Sequence, residues 1–93
     1  MNLKHLRYFW TVARLGGVSR AAEQLDLTPQ TVSGQIRHLE VDLGLALFRP
    51  AERGLELTEA GRQALSCAEE IMHLGEEMKQ ALADRQQTPT PVL

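Results

Sequence analysis

The sequence predicts a mainly α-helical chain with three helices, a β-hairpin and a long final helix. Apolar residues recur at helical spacing through residues 3–43. Over residues 47–57 the spacing changes to a period of two, with Pro50 and Gly54 marking a turn. From residue 59 onward, apolar and small residues recur at every seventh position, which is typical of a helix that packs against a second helix.

The first two predicted helices have local start and stop signals. Asn2 can cap the first helix, which ends at Gly16-Gly17, where a positive φ costs little. Ser19 can cap the second helix. The adjacent Ala21 and Ala22 have small side chains, so another helix is expected to approach the second helix closely.

The third predicted helix begins at a capping residue, Thr28, followed by Pro29 at the first helical position. It runs to about Leu43 and stops at Gly44. Residues 19–43 therefore consist of a short helix, a very short connection and a longer amphipathic helix. This is the pattern of a helix-turn-helix, with the third helix as the candidate recognition helix.

A small β-hairpin, a wing, is predicted next, with strands near residues 47–49 and 55–57. Three charged residues are expected at its tip: Arg49, Glu52 and Arg53. Residues 1–58 are thus predicted to form a winged helix-turn-helix domain.

A long linker helix is predicted over residues 59–86, capped by Thr58. Two heptad registers run along it, with Ala64, Ile71 and Met78 in one and Ala68, Gly75 and Leu82 in the other. A domain this small has little else to cover that seam, so a homodimer is expected. Residues 87–93 contain two X-Pro steps and predict a hinge.

The composition bounds the possible functions. The single Cys67 cannot form an internal disulfide, and neither metal-ligand spacing nor a catalytic constellation occurs in the 93 residues, so no metal, no cofactor and no enzymatic activity are expected. No apolar run reaches the roughly 20 residues that span a bilayer, which favours a cytoplasmic protein without membrane contact. Residues 1–54 carry seven basic against five acidic residues, whereas residues 55–93 carry three against seven. A polyanion site is therefore expected in the first part.

Residues 19–61, SRAAEQLDLTPQTVSGQIRHLEVDLGLALFRPAERGLELTEAG, resemble the N-terminal DNA-binding domain of LysR-type transcriptional regulators. Four features stand in the order that this family shows: the paired alanines, QI followed by LE, LG followed by LF, and RG followed by LTEAG. The early YFW and the segment LTPQTVSGQI are most similar to regulators of the sodium/proton antiporter type. With the linker helix included, the resemblance covers roughly residues 1–85.

The resemblance implies the operator-reading domain of a bacterial regulator whose effector domain is absent from this sequence. Antiparallel linker helices would place two winged domains at opposite ends, and RNA polymerase is an expected partner of the full-length protein. The expected target is double-stranded DNA carrying an interrupted palindrome with A·T-rich flanks. Its half-sites would lie about one helical turn apart, roughly 34 Å, or a multiple of it.

Two positions depart from the family pattern. Gly34 stands where many members have an arginine after the recognition-helix serine, so no side chain can make a base contact from that position. Pro50 stands where many members have an arginine in the wing. Arg49 and Arg53 are therefore left to contact the DNA backbone or the minor groove.

One face of the third helix carries hydrogen-bonding side chains where most surface helices carry Lys and Glu. Glutamine can bond adenine N6 and N7, serine can bond several bases, and Pro29 or the Thr31 methyl group can pack on a thymine methyl group. Gly34 lets the helix backbone come close to the groove floor. The expected base-reading residues are Pro29, Gln30, Thr31, Ser33 and Gly34.

A second set of residues is expected to position the domain on phosphate groups or in the minor groove. Free N–H groups at helix N-termini favour an anion, and a narrow A·T-rich minor groove attracts arginine, here Arg53. The set comprises Ser19, Thr28, Gln35, Arg37, Arg49 and Arg53.

An alternative from a different functional class stays open. The chain could be a protein-interaction winged helix with an acidic coiled-coil dimerisation helix and no specific DNA binding. The overall net charge of −2 favours this alternative. The polar face formed by Gln30, Ser33 and Arg37, together with the two wing arginines, favours DNA.

Overall fold

The computed structural model describes residues 1–87 and confirms a mainly helical fold with a two-stranded hairpin. In chain order the elements are α1 (Leu3–Leu15), α2 (Val18–Leu25), α3 (Pro29–Leu43), β1 (Phe48–Ala51), β2 (Gly54–Leu57) and α4 (Glu59–Gln87). The strands pair antiparallel, with Phe48 opposite Leu57 and Ala51 opposite Gly54. The predicted hinge at residues 87–93 lies almost wholly outside the described residues.

Two of the three predicted helix caps in the winged domain are present. The side chain of Asn2 accepts a hydrogen bond from the Lys4 N–H at 2.8 Å, and the Thr28 hydroxyl accepts one from the Thr31 N–H at 3.1 Å. The Ser19 cap was wrong: α2 begins at Val18, and its N-cap residue is Gly17, two residues before Ser19, without a side-chain hydrogen bond.

A single hydrophobic core joins the three winged-domain helices to the start of α4. Its members are buried apolar side chains: Leu6, Phe9, Val12, Ala21, Ala22, Val32, Ile36, Leu39, Leu47 and Ala68. The apolar residues of α3, Val32, Ile36 and Leu39, are spaced by four and three residues and form an inward stripe, as this spacing predicts. The two alanines of α2 allow the close helix contact. The core therefore holds α3 by one face and leaves its opposite face in solvent.

Hydrogen bonds between side chains and the backbone fix the wing relative to α3. One carboxylate oxygen of Glu40 accepts from the Leu47 N–H at 2.7 Å and from the Phe48 N–H at 3.3 Å. The Thr58 hydroxyl donates to the Ala46 carbonyl at 2.7 Å and accepts from the Gly61 N–H at 2.9 Å. These contacts tie α3, the hairpin and the start of α4 into one unit.

The long helix α4 divides into a part that packs on the domain and a part that extends beyond it. Ala68 was wrongly placed in the seam with a second chain, because it is completely buried in the chain's own core. Ala64 is half-buried against the same core. Arg14 adds an ion pair from α1 to Glu69 at 3.5 Å. A partner helix therefore has little of this first part left to cover.

Beyond its packed part, α4 carries an exposed apolar stripe that we call the α4 stripe. It comprises Ile71, Leu74, Met78 and Leu82, which are 38%, 66%, 57% and 52% exposed. Leu74 was missing from the predicted seam, although it lies three residues after Ile71 and four before Met78. Within residues 1–87, no helix is both long and apolar enough to cross a bilayer.

Candidate nucleic-acid interface

The N-terminal half of α3 presents one open, shallow surface to solvent. Pro29, Gln30, Ser33, Gly34 and Arg37 line it together, and all five are exposed. Within the described part of the chain, the side chains of Gln30, Ser33 and Arg37 make no intramolecular hydrogen bond. This surface, which we call the α3 face, can therefore offer its donors and acceptors to a ligand without breaking a contact of the fold.

Thr31 differs from its neighbours on α3 because its hydroxyl is already engaged. The Thr31 and Thr28 hydroxyl oxygens lie 2.8 Å apart and share a hydrogen bond, while the Thr31 N–H donates to the same Thr28 oxygen. The two threonines thus stabilise the start of the helix. The methyl group of Thr31 is the part of this side chain left for contact with a base.

The backbone at Gly34 is open to its surroundings. A Cβ atom built on this residue would meet nothing within 4 Å. Gly34 also lacks the positive φ found at Gly16, Gly44 and Gly54. The fold therefore does not require glycine here, and the bare backbone is available on the α3 face.

The remaining candidates of the helix-turn-helix occupy different environments. Ser19 is exposed in the first turn of α2, where free N–H groups are close by, although it is not the cap. Gln35 is half-buried, so less of its side chain is available than predicted. Arg20 was missed: it is exposed beside Ser19, and no described residue forms an ion pair with it. Its position at the start of a helix of a helix-turn-helix was the available signal.

The wing separates its two arginines. Arg49 was wrongly placed at the tip, because it lies within β1 opposite Glu56 and its Nε donates to the Glu56 carboxylate at 2.8 Å. Arg53 lies in the turn before Gly54 and is exposed. Among residues 1–87 it has no ion-pair partner, so Arg53 is the wing cation whose charge is not neutralised locally.

The comparisons with known proteins identify the class of protein that this fold and surface define. Residues 3–62 match the family described as "Bacterial regulatory helix-turn-helix protein, lysR family". The match covers well over half of the chain, and the chain belongs to this family.

Individual relatives extend the likeness along α4. The transcriptional activator protein NhaR of Escherichia coli is 47% identical over 78 residues, which are 84% of this chain and 26% of that protein. The HTH-type transcriptional regulator ClcR of Pseudomonas putida is 41% identical over 76 residues, 82% of this chain and 26% of that protein. The chain thus spans about a quarter of the length of these relatives.

Solved structures agree with the winged helix-turn-helix. The DNA-binding domain of BenM, in complex with catB site 1 DNA, has a TM-score of 0.86 and 27% identity, covering 98% of this chain and 100% of that one. The DNA-binding domain of CbnR, also in a DNA complex, has a TM-score of 0.79 and 35% identity, covering 91% and 99%. The fold expected from the resemblance is confirmed.

Proposed function

We propose that this chain is the sequence-specific, operator-reading domain of a bacterial transcriptional regulator. The observation that carries the proposal is the α3 face: a polar, exposed surface with free hydrogen-bonding groups on the second helix of a helix-turn-helix. The similarity to BenM and CbnR domains solved with DNA supports double-stranded DNA as the ligand.

The roles of the residues follow from their chemistry. Gln30 and Ser33 present donors and acceptors to base edges in the major groove, and Pro29 and the Thr31 methyl group supply apolar contacts. Arg37, Ser19 and the N–H groups at the Thr28 cap bind phosphate and set the orientation of α3. Arg20 joins this phosphate-binding set, because it is exposed and adjacent to Ser19. Arg49 and Gln35 take smaller parts, because Arg49 is paired and Gln35 is half-buried.

A dimer through the α4 stripe belongs to the same proposal. Two chains related by a two-fold axis require an interrupted palindrome, because each recognition helix reads one half-site. A·T-rich flanks are expected where Arg53 enters a narrow minor groove. We propose that the whole regulator acts in the cytoplasm and contacts RNA polymerase.

The alternative, an acidic protein-interaction module, predicts a different response to nucleic acid. A mixed pool of genomic DNA fragments should shift in a gel when this chain is added, and the shift should weaken steeply as salt rises, because bound phosphates release counterions. An absence of any shift at low salt would favour the protein-interaction module.

Gln30→Ala should flatten the sequence preference while binding to unrelated DNA changes little. A good bidentate base contact is worth about 1–3 kcal/mol of discrimination, and Gln30 has no other hydrogen-bonding task among the described residues. Fluorescence anisotropy with operator and scrambled duplexes measures both affinities. Gln80→Ala, on the exposed part of α4, is the matched control and should change neither. Equal losses on both duplexes would show that Gln30 positions the helix rather than reading a base.

Arg53→Ala should lower the slope of log affinity against log salt by about 1 per bound chain. The residue is an exposed cation at the turn of the wing, without a local partner in residues 1–87, so its loss removes roughly one phosphate-neutralising charge. Lys79→Ala removes one positive charge from α4, where Glu76 lies 3.4 Å away, and should leave the slope as it was. An unchanged slope for Arg53→Ala would remove this residue from the interface.

A further inference from the structure

The α3 face has a gap at Gly34, with side chains on either side of it. Pro29, Gln30, Ser33 and Arg37 line the same concave surface. Gly34 contributes only its backbone, and an added Cβ atom would have open space around it. Among the lining residues, Pro29 has an apolar ring, and Gln30 and Arg37 have methylene groups in their side chains. The gap can therefore accept a small apolar group between polar ones.

The fold does not account for a glycine at this position. Gly34 lies inside α3, its φ is not positive, and an added Cβ would touch nothing within 4 Å. Glycine is less favourable than alanine in a helix interior, so the helix itself would be more stable with alanine. A role on the exposed surface explains what the packing does not.

Building on the proposed function, we propose that the gap at Gly34 is a specificity pocket for the C5-methyl group of a pyrimidine in the major groove, supplied in unmodified DNA by thymine. That methyl group is the apolar feature that an A·T pair presents there. A Cβ at position 34 would occupy the space that the methyl group needs. Gln30 precedes Gly34 by four residues on the same helix face, so it would read an adenine on the same or a neighbouring base pair.

The test replaces single thymines of a selected operator with deoxyuridine, which keeps every hydrogen-bonding group and lacks only the methyl group. For the wild-type chain, one thymine in each half-site should be sensitive, its replacement weakening binding about fourfold, the value of one buried carbon group. Gly34→Ala should bind the thymine operator more weakly and lose the difference between thymine and deoxyuridine. A second pair of duplexes carries cytosine or 5-methylcytosine at the same position and tests whether a methyl group on cytosine is also accepted. The methylated duplex should bind the wild-type chain more tightly than the unmethylated one, and Gly34→Ala should not distinguish them.

Each other outcome has a definite meaning. Specific binding without any methyl-sensitive thymine overturns the pocket and leaves the proposed function standing. A thymine that stays equally sensitive in Gly34→Ala also overturns it, because the methyl group then contacts Pro29 or Thr31. If the wild-type chain binds all DNA sequences equally well, both proposals are overturned. A denaturant midpoint for Gly34→Ala at or above that of wild type is expected, and a lower midpoint would contradict the premise that the fold tolerates alanine.

Discussion

Gly61→Ala should destabilise the winged domain by roughly 3 kcal/mol, the upper part of the range for overpacking a core. A Cβ atom on this buried residue would overlap the carbonyl oxygen of Leu47 and come within 3.0 Å of the Leu57 side chain. The Leu47 carbonyl cannot yield easily, because it is backbone and it accepts the Thr58 N–H at 3.0 Å. The midpoint of urea unfolding, followed by circular dichroism, measures the loss.

Gly34→Ala is the matched control, since it adds the same methyl group to another helical glycine with open space around it. It should raise stability by up to about 1 kcal/mol, because alanine is the better helix former. Equal stability of the two variants would contradict the close approach of α4 to the chain segment before the wing.

Ile71→Glu should convert a dimer into monomers at micromolar concentration. Fully burying an isoleucine side chain from water contributes about 1.5–3 kcal/mol, and Ile71, which is 38% exposed in one chain, gains roughly a third of that on each chain of a symmetric pair. A buried unpaired carboxylate adds a further penalty. We therefore expect the dissociation constant to rise by at least about 100-fold. Sedimentation equilibrium measures the dissociation constant, and half-site preference should persist in the monomer.

Gln80 lies nine residues after Ile71, which at 100° per residue places it on the opposite side of α4. Gln80→Glu therefore introduces the same charge away from the α4 stripe. This variant should remain dimeric. A wild-type chain that stays monomeric both free and on DNA would show that the α4 stripe has another use.

The sequence predicts the elements of this fold well because their signals are local. Both ends of α1 and of α3 are capped as expected, since capping depends on residues within one turn. The capping residues are Asn2, Gly16, Thr28 and Gly44. The inward stripe of α3 also follows from spacing alone, and the outward α3 face is its complement. The base-reading assignments on that face remain predictions.

The features that could not be predicted from the sequence depend on contacts between distant segments of the chain. The pairing of Arg49 with Glu56 follows from the register of the hairpin, and a period of two within a strand does not say which residue of the other strand lies opposite. Ala68 enters the core because α4 packs on α1, and a heptad pattern does not say which part of a helix its own domain covers. The demand for glycine at position 61 appears only once α4 is placed against Leu47.

The central claim is that the α3 face reads a DNA sequence, and selection of bound duplexes from a random pool tests it most directly. The account predicts enrichment of an interrupted palindrome with half-sites about 10 base pairs or a multiple apart, flanked by A·T pairs. Gln30→Ala should enrich a less defined motif from the same pool. A pool that stays random after repeated rounds with the wild-type chain, under salt conditions where it binds DNA, would contradict the claim.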